Sequence, residues 1–280
     1  MPPSVVIPSL RGGPQLVALV GQLSSGAEVL VADNGLQASV RSAAETAGAT
    51  MVAMGGNAGF ARAVNMAAAR ASGDALVVIN DDITPQPGFL DALVAPLASG
   101  AQVCAGVLLQ ERAPSTIETA GVVVDATLVG YEHLHGEPVA VLDGDPADPL
   151  GPCGGAAAYD LEAFRAAGGF DAGLFAYWED VDLAVRMRAL GARCALAPAA
   201  RALHARSATL GDARRRQPRE GPARSREPRP HRAQVRPAGR ARSRHRAGSV
   251  DRAGRAAPVG RSAARPRARV PPLRRAASAT

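Results

Sequence analysis

Short continuous apolar runs alternate along the chain with stretches whose apolar residues recur every three or four positions. The runs at residues 5–8, 28–32, 50–54, 75–79, 101–109, 156–159 and 194–198 read as strands, and runs this short and uninterrupted fit strands buried on both faces. Between them, residues 15–23 are apolar at 16, 19, 20 and 23, which is helical spacing. Phe60, Val64, Ala67, Ala68 and Ala71 fall on one face of a helix over 60–71, and further helices are predicted over about 36–47, 89–97 and 161–167. A last helix over 181–190 places Leu183, Met187 and Leu190 on one side, with Asp182 four residues before Arg186, a spacing that supports a helix. Residues 117–129 suggest strands around Asp125, and 143–152, rich in Pro, Gly and Asp, a loop. Strands alternating with helices predict an α/β fold built on a parallel sheet.

Polar residues gather where these elements end. Ala75-Leu76-Val77-Val78-Ile79 runs directly into Asn80-Asp81-Asp82. Two adjacent carboxylates at the end of a buried strand are costly unless water, a cation or donor groups satisfy them. An Asp-rich turn helped by Pro85 and Pro87 is the ordinary alternative. Asp33-Asn34-Gly35, Gly56-Asn57-Ala58-Gly59 and Glu179-Asp180 are the other clusters. Each has a structural reading too: Asp33 starting a turn, Asn57 capping the next helix, Asp180 capping the helix over 181–190 where its charge suits the dipole. The glycine-rich loop is not G-x-G-x-x-G and so is no dinucleotide fingerprint.

Charge divides the 280 residues in two. Residues 1–212 hold 11 Arg against 22 carboxylates, a formal −11, whereas 213–280 hold 21 Arg against 3, a formal +18. Lys is absent throughout. The basic segment has nine prolines, one Leu, and no Phe, Tyr, Trp, Met, Ile or Cys. Such a composition does not bury enough apolar surface to offset chain entropy, so disorder is expected. Two readings of it stand side by side: a basic arm for polyanions, or an out-of-frame translation of a GC-rich gene, which yields the same Arg-Pro-Ala-Gly-Ser vocabulary. The expected organisation is therefore a folded domain over 1–212 and a disordered tail over 213–280. Cys104, Cys153 and Cys194 are too few and too irregularly spaced for a disulfide frame or zinc site, which favours a reducing compartment. Neither a signal peptide nor a membrane-spanning run is expected.

Taken together and in order, the clusters resemble family 2 glycosyltransferases of the GT-A fold, most closely the bacterial branch often called rhamnosyltransferase-like. The matching pieces are Val5-Val6-Ile7-Pro8, Val31-Ala32-Asp33-Asn34-Gly35, Asn57-Ala58-Gly59-Phe60-Ala61 with Asn65, and Leu76-Val77-Val78-Ile79-Asn80-Asp81-Asp82. They continue with Gly154-Gly155-Ala156, Gly168-Gly169-Phe170-Asp171, Glu179-Asp180-Val181-Asp182-Leu183 with Arg186, and His204 with Ser207 and Thr209. The likeness covers residues 4 to 211. It implies a Rossmann-like, mixed but mainly parallel sheet flanked by helices.

It also implies roles. Asp33 would contact the nucleotide, with Asn57, Asn80, Asp81 and Glu179 around the donor substrate. Asn80-Asp81-Asp82 stands where the family has a DXD-type motif, with Asn in place of the first Asp. Asp82, joined by His204, would hold a divalent cation, Mg²⁺ or Mn²⁺. Asp180 would be the general base that activates the acceptor hydroxyl, and direct attack would invert the anomeric centre. His133 and His135 have no expected catalytic role. The implied donor is a dTDP- or UDP-sugar and the acceptor a glycan or polyprenyl-linked molecule of cell-wall polysaccharide synthesis. A cytoplasmic location, with peripheral contact at the inner membrane face and no nucleic-acid partner, goes with this. The alternative is an inactive remnant, truncated on its acceptor side, that binds nucleotide sugars or polyanions only. A nucleotidyltransferase fits less well, because no Gly-rich loop with Arg and Lys follows residues 5–7.

Overall fold

The computed structural model describes residues 1–127 and 129–205. The expected boundary at 212, the Arg-rich segment, Ser207 and Thr209 lie outside the described residues.

The first half of the chain repeats a strand–helix rhythm. β1 (Ser4–Ser9), α1 (Pro14–Leu23), β2 (Glu28–Asp33), α2 (Ala38–Thr46), β3 (Ala49–Ala53), α3 (Phe60–Ala68) and β4 (Ala75–Ile79) follow one another. After β4 come β5 (Ile83–Pro85), α4 (Phe89–Ala98), β6 (Val103–Gln110), β7 (Ala113–Thr119), β8 (Val122–Val124) and β9 (Gly130–Glu132). β10 (Ala156–Asp160), α5 (Leu161–Ala166), α6 (Glu179–Ala189) and β11 (Cys194–His204) complete it, with 3-10 turns at Val139–Gly144 and Ala172–Leu174.

The main sheet runs β3-β2-β1-β4-β10-β6-β11-β5, with β7 added on β6, and β8 and β9 form a separate ribbon. Pairing is parallel from β3 to β4 and again between β6 and β11. β10 enters antiparallel between β4 and β6. Apolar side chains leave these strands on both faces. Val6, Leu30, Leu76 and Val78 pack with α3 and Phe164 of α5 on one side, while Val5, Ile7, Val29, Val31, Val77 and Ile79 pack with α1 and α4 on the other. Burial on both faces is why these strands read as uninterrupted apolar runs rather than as alternation.

This topology sets the site. Parallel β1, β2 and β4 end at the same edge, so Ser9, Asp33 and the Asn80–Asp82 segment emerge together. Antiparallel β10 begins at that edge, bringing Gly154 and Gly155 beside Asn80, whose N–H donates to the Gly155 carbonyl at 3.4 Å.

Three elements differ from the sequence-based expectation. The last strand extends to His204 instead of ending at 198, because it is held by β6 on one side and β5 on the other, with an irregularity between Leu196 and Arg201. β5 had no sequence signal: three residues are held in the sheet by pairing with β11. The strands expected over 117–129 are divided between β7 and the β8–β9 ribbon, and Asp125 closes the ribbon's turn by accepting from the N–H groups of Thr127 and Val129. No helix among the described residues is long and apolar enough to cross a membrane.

Candidate active site

A cleft of about 390 Å³ opens at this edge. Seven of the eight expected site residues line it: Asn57, Asn80, Asp81, Asp82, Glu179, Asp180 and His204. Asp33 does not reach it. Its Oδ1 accepts from the N–H groups of Gly35 (2.9 Å) and Leu36 (2.7 Å), and its Oδ2 from Arg41 Nε (2.7 Å). Burial opposes its charge, but the Leu36 and Gly35 donors and Arg41 outweigh that and hold the carboxyl below its usual range. The neighbour Asn34 lines the cleft instead, and ties the end of β2 to the glycine loop by accepting from Ala58 N–H at 3.0 Å and donating to the Gly59 carbonyl at 3.4 Å.

At one part of the cleft wall, Ser9 Oγ donates to Asp81 Oδ2 at the end of β4. Burial pushes the Asp81 carboxyl up, and the Asp82 charge adds to this against the Ser9 hydrogen bond. The next residue, Asp82, stands beside His204, with Oδ1 3.1 Å from Nε2. The antiparallel register that sets His204 opposite Ile83 makes this contact between residues 122 positions apart. His204 Nδ1 lies 2.8 Å from Oε1 of Glu118, on β7. Burial lowers the imidazole pKa, but the hydrogen bonds and charges of Asp82 and Glu118 prevail and raise it to about 9.

Elsewhere on the wall, α6 begins with Glu179, Asp180 and Asp182 in its first turn, where the dipole favours anions. Asp180 Oδ1 accepts from Val181 N–H (2.8 Å) and Oδ2 from Gly154 N–H (3.3 Å). Burial nevertheless raises the Asp180 pKa. Burial and the Asp180 charge push Glu179 up to about 8, and its Oε2 is buried without a hydrogen-bond partner. A buried orphan oxygen is costly, so a group that meets it from the cleft gains that cost back. Phe175, Tyr177 and Trp178, just before α6, all have positive φ, and Phe175 and Tyr177 are exposed at the cleft. Gly59 is required here: with φ at 82°, a Cβ on it would lie 2.5 Å from the Phe175 carbonyl oxygen.

Several cleft residues carried no sequence signal. Glu118, Glu132 and Arg11 belong to no motif of charge or spacing, and tertiary structure alone brings them in. Expected to be idle, His135 lies one layer behind, its Nδ1 2.6 Å from the Glu118 carbonyl and 2.8 Å from Glu132. Six carboxyl groups line the cleft against Arg11 and His204, and Glu179, pushed up to about 8, is neutral near pH 7. A wall of that sign repels a phosphate ester unless a cation comes with it. Asp82 and His204 fit a hard divalent cation chemically, as a carboxylate oxygen and an imidazole nitrogen 3.1 Å apart at the cleft. Among the described residues no group of three or more potential ligands gathers, so these two would supply the protein's share.

Residues 4–121 match the family model described as Glycosyl transferase family 2. No curated protein matches the sequence. Among solved structures, GalNAc-T7 with UDP, GalNAc and Mn²⁺ superposes with a TM-score of 0.59 at 15% identity, over 73% of this chain and 44% of that one. A mannosyltransferase from Pyrobaculum calidifontis, in complex with GDP-Man and Mn²⁺, gives 0.53 at 20% identity, over 75% of this chain and 58% of that one. The chain thus spans about half the length of these structures. The fold is of the GT-A type, a mixed sheet flanked by helices.

Proposed function

We propose that this chain, which matches glycosyl transferase family 2 over residues 4–121, is a metal-assisted, inverting glycosyltransferase. It takes a sugar from a nucleotide-diphosphate donor, a dTDP- or UDP-sugar, to a glycan or lipid-linked acceptor, with rhamnosyl or another hexosyl group as cargo. The cytoplasmic face of the membrane is its proposed place of work. The observation that carries this is one cleft holding two separate acidic devices, Asp82 with His204 and the Glu179-Asp180 pair.

The roles divide between them. Asp82 and His204 would hold the cation, whose charge offsets that developing on the leaving diphosphate. Asp180 takes the proton of the acceptor hydroxyl as its oxygen forms the new bond to the anomeric carbon and the bond to the diphosphate oxygen breaks. Burial of Asp180 strengthens it as a base. Glu179 Oε2 accepts a hydroxyl hydrogen bond from the substrate, which supplies the partner it otherwise lacks. Asn57, Asn80 and Asp81, which line the cleft, would face the donor, while Asp33 acts one step back, shaping the turn from which Asn34 reaches the cleft.

Turnover of UDP- and dTDP-sugars with Mn²⁺, measured beside calorimetric binding, tests the reading. Asp180→Asn is expected to bind donor as the wild type does and to lose about 10²- to 10⁴-fold in transfer, the usual worth of a general base. Transfer at the wild-type rate removes Asp180 from that role. The abrupt change of composition at residue 213 favours a second reading, a binding-only remnant. Donor binding by the wild-type chain without release of nucleoside diphosphate selects it.

A further inference from the structure

Glu118 has no place in any motif, yet it is one of the few buried carboxylates, at 4% exposure on β7. Its Oε1 meets His204 Nδ1 at 2.8 Å across 86 positions of sequence. An ionised carboxylate only accepts, so Nδ1 carries the proton in this pair. Two groups face the other ring nitrogen. Asn80 Nδ2, at 3.4 Å, is a donor and suits a lone pair on Nε2. Asp82 Oδ1, at 3.1 Å, is an acceptor and does not. Nε2 and Asp82 Oδ1 thus share a proton across 3.1 Å at the cleft, the proton whose place a divalent cation would take.

We propose that Glu118 is a positioning residue for a divalent-cation site. It fixes the His204 ring in the Nδ1–H form, so that Nε2 and Asp82 Oδ1 present their lone pairs side by side, and its charge behind the ring increases the basicity of Nε2. The backbone of Glu118 is held separately, its carbonyl lying 2.6 Å from His135 Nδ1. The inference rests on the metal-assisted reading above.

Mn²⁺ titrated into the full chain with UDP present, with free Mn²⁺ read by electron paramagnetic resonance, tests it. Glu118→Gln keeps the shape and removes the charge. It is expected to weaken Mn²⁺ about 10- to 100-fold while the melting temperature without metal stays within about 2 °C of wild type. Asp82→Ala is expected to abolish binding. If Glu118→Gln does not fold, Glu118→Asp, whose shorter carboxylate falls back from Nδ1, is expected to lose about tenfold. Equal Mn²⁺ affinity in wild type and the Glu118 variant overturns the positioning role and leaves the metal-assisted reading standing. Absence of Mn²⁺ binding by the wild type overturns both.

Discussion

Asp180 and Glu179 are adjacent carboxylates with unequal surroundings. Asp180 has two backbone donors, whereas Glu179 has a buried oxygen with none. Their pH behaviour follows. Glu179 titrates at about 8 in the fold, against 4.5 for the ordinary side chain. Between these values the folded chain holds a proton that the unfolded chain has released. Its contribution to stability is therefore complete below about pH 4.5 and is lost as pH rises through about 8. Glu179→Gln stays neutral and is expected to melt with wild type in acid but at least about 3 °C above it at pH 8. Melting curves across pH that remain parallel for the two proteins count against this. As the proposed base, Asp180, raised by burial, must lose its proton to act, so transfer is expected to climb with pH through its shifted pKa. The motif pairs made both residues legible from sequence; which of them lacks a partner was not, because Gly154 lies 26 positions from Asp180.

At the scale of elements, the stretch before α6 is braced from a distance. Asn65 of α3 donates through Nδ2 to the Phe170 carbonyl (2.7 Å) and accepts at Oδ1 from Phe170 N–H (2.9 Å). Arg186 of α6, paired with Asp182 as the sequence spacing predicted, donates to the Gly169 carbonyl at 2.8 Å. Asn65→Ala removes both of its bonds and leaves two backbone groups short of partners. A loss of about 2 kcal/mol is expected, read as a lower denaturant midpoint at unchanged slope; an unchanged midpoint would show that the brace contributes nothing. Periodicity placed Asn65 on its helix and the Gly168-Gly169-Phe170-Asp171 motif after another. It gave no hint that the two touch, since the contact spans 105 residues.

For the whole molecule, the proposed function has charge couple the nucleotide to the cation. The acidic lining of the cleft disfavours a phosphate ester alone and favours it together with a cation. UDP with Mn²⁺ at 100 times the dissociation constant should stabilise the chain by about 2.7 kcal/mol, roughly 5–10 °C in melting temperature. UDP alone should give less than about 2 °C, and Asp82→Ala should respond alike with and without Mn²⁺. A full shift with UDP and chelator would show that the cleft grips the nucleotide without a cation.

The sequence by itself determined the strand–helix order, because burial on both faces of a parallel sheet imposes continuous apolar runs and helix packing imposes a period of 3.6. It also marked the polar residues at the ends of β2 and β4, since a buried strand keeps carboxylates only where it leaves the core. Tertiary structure alone decided what those residues face. Asp33, expected in the cleft, turned to Arg41 and its own loop. The last strand ran six residues past its apolar signal, to His204, because its hydrogen bonds are supplied by β5 and β6 rather than by its own sequence. That extension places an imidazole between Asp82 and Glu118. Local pattern does not encode a pairing across 122 residues, and it is this pairing that brings two carboxylates and a histidine into contact.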